Sequence, residues 1–292
     1  MSNDQNFKNL ILDYPRDALE LFVGAEAKSL DKGAKIIPIR EEQLKNRLGD
    51  RFRELDVPLL VEWPDGTREA ILFVVEEDTD PRRFSIHRLA HYCLDLSEMF
   101  KTNRVVPVVI FLYAGNYARE LVLAGDEQNY LRFSFIECAL KGLSYEQYRE
   151  SSNIVARLNL PNMSYRPEQK VDVYADAVRG LRRLEPETEK RLKYLDFIDI
   201  YADLDDMEYK LYVYKYSEEA EVMSAFAERF REEGMQKGVQ KGEAQLLIRQ
   251  MSLKFGQIPE DKQRLVESAD SESLIRWSER ILTAQSLEEV LQ

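Results

Sequence analysis

The chain has 292 residues, and 44% of them are hydrophobic, which is enough apolar material for two globular domains or for one domain with an extension. A formal net charge of −12 excludes attraction of the whole molecule to nucleic acid, so such a contact would need a local basic patch or a metal ion that bridges to phosphate. The sequence shows neither a signal peptide nor an apolar stretch of membrane-spanning length, and we expect a cytoplasmic protein without a membrane partner.

Patterns of helices and strands alternate over the first part of the chain, which predicts a mixed α/β sheet with helices on both faces. A continuous apolar run at 105–113 is typical of a buried central strand, and Pro107 indicates that this strand begins near an edge or an irregularity. Pro15 marks a helix start. The predicted helices cover 5–23, 40–54 and 85–100, and the predicted strands cover 57–63, 69–76, 105–113, 119–123 and 131–136.

From about residue 143 the pattern becomes helical and more polar. The segment Tyr209–Tyr216 has a strand-like composition, although a helix is also compatible with it. Gly234, Gly238 and Gly242 recur every four residues, which indicates either a close helix–helix approach in a homo-oligomer or a weakly helical connector. The predicted helices of this part cover 143–150, 152–159, 168–183 and 187–201.

Residues 243–292 are predicted to form a small helical unit. Its first helix carries an apolar stripe and ends at Gly256. Further helices are predicted to begin at Pro259 and Ser271, and Ser286 followed by Glu289 has the spacing of a capping box. The stripe consists of Leu246, Leu247, Met251 and Phe255.

The cysteines and histidines form no evident metal site. Cys93 and Cys138 stand in apolar segments, which favours buried thiols in a reducing compartment. His87 and His91 are four residues apart on one face of a predicted helix, a spacing that can hold zinc. The glutamate of the His-Glu-x-x-His pattern is missing, so a polar helix face or a role beside nearby acidic residues are the alternatives.

A predicted β-hairpin contains the most informative local signal. The loop Pro64–Gly66 suits a three-residue turn, because Pro favours the first turn position and Gly the left-handed one. This loop pairs Trp63 with Thr67, and the resulting register places Asp56 opposite Val74. A two-residue Asp-Gly loop would shift the register by one and turn Asp56 to the other face. Both faces are apolar in mid-strand, so we expect both to be covered.

Three acidic residues gather at the end of this hairpin. With the three-residue loop, Asp56, Glu76 and Asp78 share one face, where like charges repel one another unless a cation lies between them. Asp56 and Glu76 are diagonal neighbours about 7–8 Å apart. Carboxylate oxygens at that separation suit a hard divalent cation. A solvated strand end with scattered charge is the alternative interpretation.

The segment from Asp56 through Tyr92 resembles the PD-(D/E)XK nuclease superfamily, and most closely its recombination-promoting nuclease and transposase-like branch, in which an Arg-rich helix follows an acidic hairpin. The opening Asn-Phe-Lys-Asn-Leu is similar to the N-terminal helix of that branch, and the glycine repeat is similar to its tails. Residues 243–292 resemble a small helical domain of unknown function that is often appended. The resemblance implies a restriction-endonuclease-like αβββαβ core over 1–142, a helical extension over 143–225, a glycine-repeat helix or linker over 226–242 and a C-terminal helical domain over 243–292.

The resemblance also implies a Mg²⁺-dependent DNA endonuclease, with Mn²⁺ as an alternative ion. Asp56 and Glu76 match the first and second acids of the family motif and would hold the ion. The third motif position is usually Lys, or Gln in some branches, whereas this chain has Asp78. Aspartate cannot supply positive charge to the reacting phosphate, but it would add a third metal ligand.

Cationic help would then come from arginines that follow the hairpin. Arg88 is the catalytic candidate, and Arg82 and Arg83 are phosphate-contact candidates, because the guanidinium group binds phosphate through two hydrogen bonds. Arg82 and Arg83 also suit simple surface ion pairs with neighbouring acids. Glu20 on the first helices either supplements the metal site, as the resemblance suggests, or is a surface acid.

Two functions follow from these observations. The first is a metal-dependent DNA endonuclease, whose site is degenerate if none of the arginines reaches the phosphate. The second is a non-catalytic interaction or assembly protein built on a degenerate nuclease core, with the glycine-repeat helix as the route to a homo-oligomer.

Overall fold

The computed structural model describes residues 3–29, 33–39, 57–76, 84–112, 115–221 and 242–291, and at positions 3–5, 28–29, 68–70, 72–76 and 271 the description covers the backbone alone. The predicted helix at 40–54 lies outside the described residues. The chain divides into two units, Met1–Tyr216 and Ser217–Gln292.

The first unit begins with two helices, as the sequence predicts. Helix α1 covers Asn3–Asp13, and helix α2 covers Pro15–Phe22 with Pro15 at its first position. Each helix has a fully buried apolar side, which includes Leu10 of α1 and Leu19 of α2, whereas Leu12 is 41% exposed. The guanidinium of Arg16 donates to the carbonyl oxygen of Ala34 over 3.0 Å, which ties α2 to the first strand.

The main sheet has the strand order β1-β2-β3-β4-β7 in the described part of the chain. Strands β1, β2 and β3 are antiparallel neighbours, and β3, β4 and β7 are parallel neighbours. Helix α3, Ile86–Phe100, connects β3 to β4, so the prediction of a mixed α/β sheet is confirmed. The strands cover Lys35–Pro38 (β1), Val57–Glu62 (β2), Arg68–Glu76 (β3), Val105–Phe111 (β4) and Ile136–Ala139 (β7).

Helix α3 covers one face of this sheet. Ser85 caps the helix, because its hydroxyl oxygen accepts a hydrogen bond from the N–H of Arg88 over 3.3 Å. Val109 and Phe111 of β4 pack against the buried side of the helix. That side is the one that the helical spacing predicts, and it consists of Ile86, Leu89, Ala90, Cys93 and Leu96.

The position of Pro107 agrees with its missing N–H group. Pro107 pairs with Leu72 of β3, whereas β7 pairs only with Val108–Phe111. Within the described residues, β4 therefore has a neighbouring strand on one side only at Pro107, and the prediction of an edge at the start of this strand is confirmed.

A two-stranded hairpin precedes β7. It consists of β5, Glu120–Ala124, and β6, Asn129–Ser134, which pair antiparallel outside the main sheet. Most of its side chains are exposed, but Phe133 packs against the core beneath α3. The sequence predicts strands at 119–123 and 131–136. The second prediction treats as one strand a segment that belongs partly to β6 and partly to β7.

The rest of the first unit is helical, as predicted. The segment Tyr209–Tyr216, which has a strand-like composition, lies in helix α8, Asp206–Lys215. The helical alternative for this segment is therefore correct up to Lys215. Its side chains are mostly exposed, and Tyr212 is the buried one. The helices cover Tyr145–Tyr148 (α4), Ile154–Leu158 (α5), Lys170–Leu184 (α6), Thr188–Ala202 (α7) and Asp206–Lys215 (α8).

Polar contacts join the first two helices to this helical region, and we call them the helix seam. One carboxylate oxygen of Asp13 accepts from Tyr194 and from Lys193, each over 2.6 Å. The hydroxyl of Tyr14 donates to the buried carboxylate of Glu185. The ring of Phe7 lies 5.4 Å from that of Phe197, which adds an apolar layer. Partial burial and the contact with Glu185 raise the pKa of Tyr14 above its ordinary range.

The second unit has its own core. Residues 242–255 form helix α9, followed by Glu260–Glu267 (α10), Ser271–Arg280 (α11) and Leu287–Leu291 (α12). The predicted stripe is correct for the buried Leu247 and Met251, but Leu246 is 57% exposed and the prediction for it is wrong. The reason is that this small unit covers a narrower face of α9 than the sequence pattern suggests. None of the helices among the described residues is long and apolar enough to cross a membrane.

Candidate functional site

The hairpin turn between β2 and β3 has the geometry that the sequence predicts. The N–H of Gly66 donates to the carbonyl oxygen of Trp63 over 2.9 Å, and the N–H of Trp63 donates to that of Thr67 over 3.0 Å. Gly66 has a φ of +83°, the left-handed conformation that glycine adopts without strain. Asp65 accepts from the N–H of Thr67 over 2.9 Å and from its hydroxyl over 2.7 Å, and these bonds lower the pKa of Asp65.

This turn sets the register of the hairpin. Glu62 pairs with Arg68 at the turn, and Val57 pairs with Phe73 at the other end. The two-residue loop is therefore excluded, and the register is the one used to predict the acidic cluster. The side chains of Val57–Val61 are all buried, which confirms that β2 is covered on both faces.

The strand ends that matter for the site meet at one edge of the sheet. Parallel strands β3, β4 and β7 end there at Glu76, Phe111 and Ala139, and antiparallel β2 begins there at Val57. Crevices at the carboxyl ends of parallel strands are the usual ligand sites of open α/β sheets. We call this edge the carboxyl edge.

The predicted acidic residues are only partly described. Glu76 is the last residue of β3, and its backbone lies beside that of Phe111 at the carboxyl edge. Asp56, which directly precedes Val57 in sequence, and Asp78 lie outside the described residues. The metal site therefore stays a prediction. Among the part of the chain that the structure describes, no three His, Cys, Asp or Glu side chains come together to hold a metal ion.

Helix α3 begins at the same edge. Phe84, two residues before the helix, lies with its ring 5.7 Å from that of Phe111 at the end of β4. Arg88 is exposed on the first turn, and His87 and His91 are exposed on the same helix. The positive end of the helix dipole and the guanidinium of Arg88 on its first turn thus lie towards the carboxyl edge, where they favour an anion.

The remaining sequence candidates have different positions. Arg82 and Arg83 lie outside the described residues, and their proposed phosphate contacts stay predictions. Glu20 is exposed on α2, where its carboxylate accepts a hydrogen bond from the side chain of Asn153 over 3.4 Å. This contact gives Glu20 a place beside the helix seam.

Sequence reasoning missed a polar group beside the carboxyl edge. The carboxylate of Glu137 accepts from the hydroxyl of Tyr117 over 2.8 Å and from Nε and Nη2 of Arg119 over 2.7 Å and 3.2 Å. The ring of Tyr117 stacks on that of Phe111, with 3.8 Å between centroids and 7° between planes. We call these three residues, Tyr117, Arg119 and Glu137, the edge triad.

The edge triad has a recognisable electrostatic character. Partial burial and the bond to Glu137 raise the pKa of Tyr117, so its hydroxyl stays a donor at neutral pH. Glu137 raises the pKa of Arg119, which stays charged. The sequence does contain a signal for this group, because Glu137 is an isolated acid within the apolar stretch Phe135–Leu140. Such an acid needs a partner when it is partly buried.

A groove of about 590 Å³ lies next to β7. It is lined by Leu21–Glu26 at the end of α2, by Ile136–Ala139 of β7, and by Gly142 and Leu143. Cys138, which lines it, is buried, and burial raises the pKa of its thiol to about 12. This thiol is therefore protonated at neutral pH and is a poor nucleophile or metal ligand.

Comparison of the chain with protein-family models, with curated proteins and with solved structures finds no match in any of the three.

Proposed function

We propose that this chain is a Mg²⁺-dependent DNA endonuclease of the recombination-promoting nuclease type, built on a restriction-endonuclease-like αβββαβ core. The register of the β2–β3 hairpin is the observation that carries the proposal. In this register, the end of β3 at Glu76 and the start of β2 at Val57 lie at the same edge of the sheet. The sequence predicts the acidic cluster at that edge.

The order of elements supports the same proposal. Helices α1 and α2 precede three antiparallel strands, and helix α3 then leads to β4, which is parallel to β3. Over the described residues, this order has the form αβββαβ. Strand β7 and the β5–β6 hairpin follow as additions to that order.

The chemistry of the predicted ligands suits the ion. Asp56 and Glu76 would supply carboxylate oxygens, the donors that Mg²⁺ or Mn²⁺ takes in proteins, and Asp78 would add a third. When bound, the ion would neutralise charge on the phosphate and activate the attacking water. The protein would contribute the orientation of the carboxylates at the end of a rigid hairpin, and the positive end of α3 would attract the phosphate.

The replacement of the motif lysine by Asp78 leaves a need for positive charge. Of the three arginines that the sequence nominates, Arg88 is the one that the structure describes. It is exposed on the first turn of α3 beside the carboxyl edge, where its charge could meet this need. Arg82 and Arg83 precede the same helix in sequence and would contact neighbouring phosphates. Arginine suits this role because its planar group can donate two hydrogen bonds to one phosphate.

A plasmid-nicking assay tests the proposal. Wild type is expected to nick supercoiled DNA with Mg²⁺ or Mn²⁺ and to lose this activity in EDTA, and Asp56→Ala and Glu76→Ala are each expected to lower the rate by a factor of about 100 or more. Asp126→Asn, which removes an exposed acid at the tip of the β5–β6 hairpin, is the matched control and should cut like wild type.

Two further variants sharpen the assay. Asp78→Lys restores the charge of the family motif and is expected to cut at least as fast as wild type, whereas Arg88→Ala is expected to cut more slowly. Metal binding is measured separately as a Mg²⁺-dependent rise in melting temperature, which Glu76→Ala should lose. Absence of both nicking and the metal-dependent rise in wild type would contradict the nuclease proposal.

A non-catalytic interaction protein is the second candidate, and one observation favours it. Helix α8 exposes an apolar face in which Met207, Leu211 and Tyr214 are 73%, 50% and 86% exposed. Apolar residues at this spacing form one stripe, and exposed stripes of this kind are typical of protein–protein contacts. Light scattering of wild type and Leu211→Lys tests it, since a self-associating face would give a mass that falls in the variant.

A further inference from the structure

We propose that Arg119 binds a backbone phosphate of the DNA that flanks the cleaved bond, and that Glu137 is the positioning residue that holds Arg119 in place. The proposal rests on the nuclease function proposed above, and it assigns to the edge triad a role that the sequence motif does not contain. It also supplies positive charge to a site in which an aspartate stands at the position of the motif lysine.

The position of Arg119 relative to Glu76 follows from three short steps. The backbones of Glu76 and Phe111 are register partners on adjacent strands, which lie about 4.8 Å apart. The ring of Phe111 is stacked 3.8 Å from that of Tyr117, and the guanidinium carbon of Arg119 lies 5.8 Å from the centre of that second ring. Arg119 is thus linked to the end of β3 through the stacked rings of Phe111 and Tyr117.

This separation selects the phosphate. Successive nucleotides of one DNA strand rise by about 3.4 Å along the duplex axis. A guanidinium that is linked to this strand end through two stacked rings therefore suits a phosphate one or more nucleotides from the cleaved bond. Contacts of this kind fix the position of the duplex on a protein and carry no sequence information.

The guanidinium of Arg119 is oriented in advance. Glu137 accepts from Nε and from Nη2, which is the two-pronged arrangement that holds an arginine side chain in one direction. The carboxylate is itself held by the hydroxyl of Tyr117, whose ring is fixed by Phe111. An arginine that is already ordered loses less conformational entropy when a phosphate binds.

Donors of Arg119 also face the solvent. Its side chain is 71% exposed, although it is paired with a carboxylate that is only 24% exposed. A guanidinium carries five N–H groups, and the two bonds to Glu137 use two of them. Arg119 can therefore keep its contact with Glu137 and bind a phosphate oxygen at the same time.

Arg132, on the β5–β6 hairpin that directly follows Arg119, provides the matched comparison. It is 69% exposed and forms an ion pair with Glu120 over 2.5 Å, so its charge and exposure are close to those of Arg119. It stands next to Phe133, which packs inward beneath α3, and alternation along the strand turns Arg132 to the outer face. An effect of nearby charge alone would be the same for both arginines, whereas a positioned contact would be specific to Arg119.

The test combines DNA binding with nicking in the full-length protein. Binding of a short fluorescent duplex is measured with Ca²⁺ in place of Mg²⁺ over a range of salt concentrations, and nicking is measured with Mg²⁺. Arg119→Ala is expected to bind about tenfold more weakly, to lower the slope of log affinity against log salt by about 1, and to nick at least tenfold more slowly. Arg119→Lys should recover part of each loss, and Arg132→Ala should stay within about twofold of wild type.

Glu137→Asp tests the positioning role. This variant keeps the negative charge at position 137 and the charge of Arg119, but its side chain is one methylene shorter, which weakens the bonds that orient the guanidinium. It is expected to bind DNA more weakly than wild type with the salt slope unchanged, because the charge is still present but is no longer held in place. Circular dichroism confirms that each variant is folded.

The outcomes separate the two proposals. If wild type nicks DNA and Arg119→Ala equals Arg132→Ala in affinity, salt slope and rate, the nuclease proposal stands and the role of Arg119 is overturned. If wild type neither binds nor nicks DNA, both are overturned.

Discussion

The side chain of Arg157 lies directly against the backbone of Gly180, at the contact between α5 and α6. A Cβ atom at Gly180 would be 2.7 Å from the Cβ and 2.5 Å from the Nε of Arg157, closer than real carbon atoms approach. Arg157 is 4% exposed and donates to the carbonyl oxygen of Asp176 over 2.5 Å. Because Gly180 has no side chain, the buried side chain of Arg157 can pass directly over the backbone of α6.

Gly180→Ala should destabilise the protein for this reason. Alanine normally stabilises a helix relative to glycine by up to about 1 kcal/mol, but forced repacking of a dense core costs about 1–3 kcal/mol. We expect a net loss of about 1–2 kcal/mol in the free energy of unfolding, measured by urea denaturation. Gly142→Ala is the control, because its Cβ would come no closer than 4.0 Å to the nearest Cβ. A stabilised Gly180→Ala variant would contradict this packing.

Asn153→Ala should be more destabilising than the loss of an ordinary helix cap. Asn153 accepts from the N–H of Ala156 over 2.9 Å at the start of α5 and donates to the carbonyl oxygen of Asp17 over 2.9 Å. Loss of the cap costs about 1 kcal/mol, and loss of the hydrogen bond to Asp17 costs about 0.5–1.5 kcal/mol more. Asp205→Ala removes an exposed cap from α8 and serves as the comparison, with an expected loss of about 1 kcal/mol. Equal losses in the two variants would argue against the link to Asp17.

Asp17 should make the protein less stable as the pH rises above about 4. Partial burial, together with the nearby carboxylate of Glu20, raises the pKa of Asp17 above its ordinary value of 3.8. In the interval between the unfolded and folded pKa values the folded state binds more protons, so its stability falls with rising pH. Asp17→Asn removes this dependence and can still accept from the N–H of Ile154. The stability of wild type minus that of Asp17→Asn should therefore fall between pH 3 and pH 7, and parallel curves would rule out a raised pKa.

Both cysteines should resist alkylation in the folded protein. Cys93 and Cys138 are buried and free, and burial raises the pKa of each thiol to about 12. At pH 8 about one thiol in ten thousand is then ionised, and the thiolate is the reactive form. Mass spectrometry after iodoacetamide treatment should show no label in buffer and two labels in denaturant. Rapid labelling of either thiol without denaturant would contradict its burial.

Gly66→Ala should weaken the hairpin that positions Glu76. An alanine at a φ of +83° costs about 1 kcal/mol, whereas asparagine tolerates the left-handed region better. We expect the melting temperature to fall in the order wild type, Gly66→Asn, Gly66→Ala. Nicking by the two variants below the melting temperature should stay close to that of wild type, since the register is also fixed by the paired strands.

The hairpin and α3 show how far local sequence signals reach. The loop Pro64–Gly66 determines its own turn type, and the turn determines the register up to Val57 and Phe73. The inner face of α3 follows from the helical period, because the apolar residues that recur at that period are buried, whereas Leu94, which lies off that face, is 59% exposed. Strand β1 has no such signal, since Lys35–Pro38 is short and partly exposed and is held by its pairing with β2.

The candidate site was only partly predictable for a related reason. Arg119 and Glu137 are separated in sequence by the whole β5–β6 hairpin, and only the return of β6 into β7 brings their side chains together. No fixed spacing encodes such a contact. The acidic cluster of Asp56, Glu76 and Asp78 is different, because its members can be assigned to one face from the strand register alone. The cluster itself stays a prediction.

The helix seam implies that the first unit unfolds as a whole. Side chains from beyond residue 184 hold Asp13 and Tyr14 in place. Detachment of α1 would therefore break these contacts and expose the buried carboxylate of Glu185 to water. A truncated chain that stops near residue 142 would lose Phe197 and Tyr201, whose rings pack against the fully buried Phe7. A fragment that keeps the fold of the first unit would therefore have to contain residues 1–216. The change to a helical sequence pattern at about residue 143 does not mark the end of this unit.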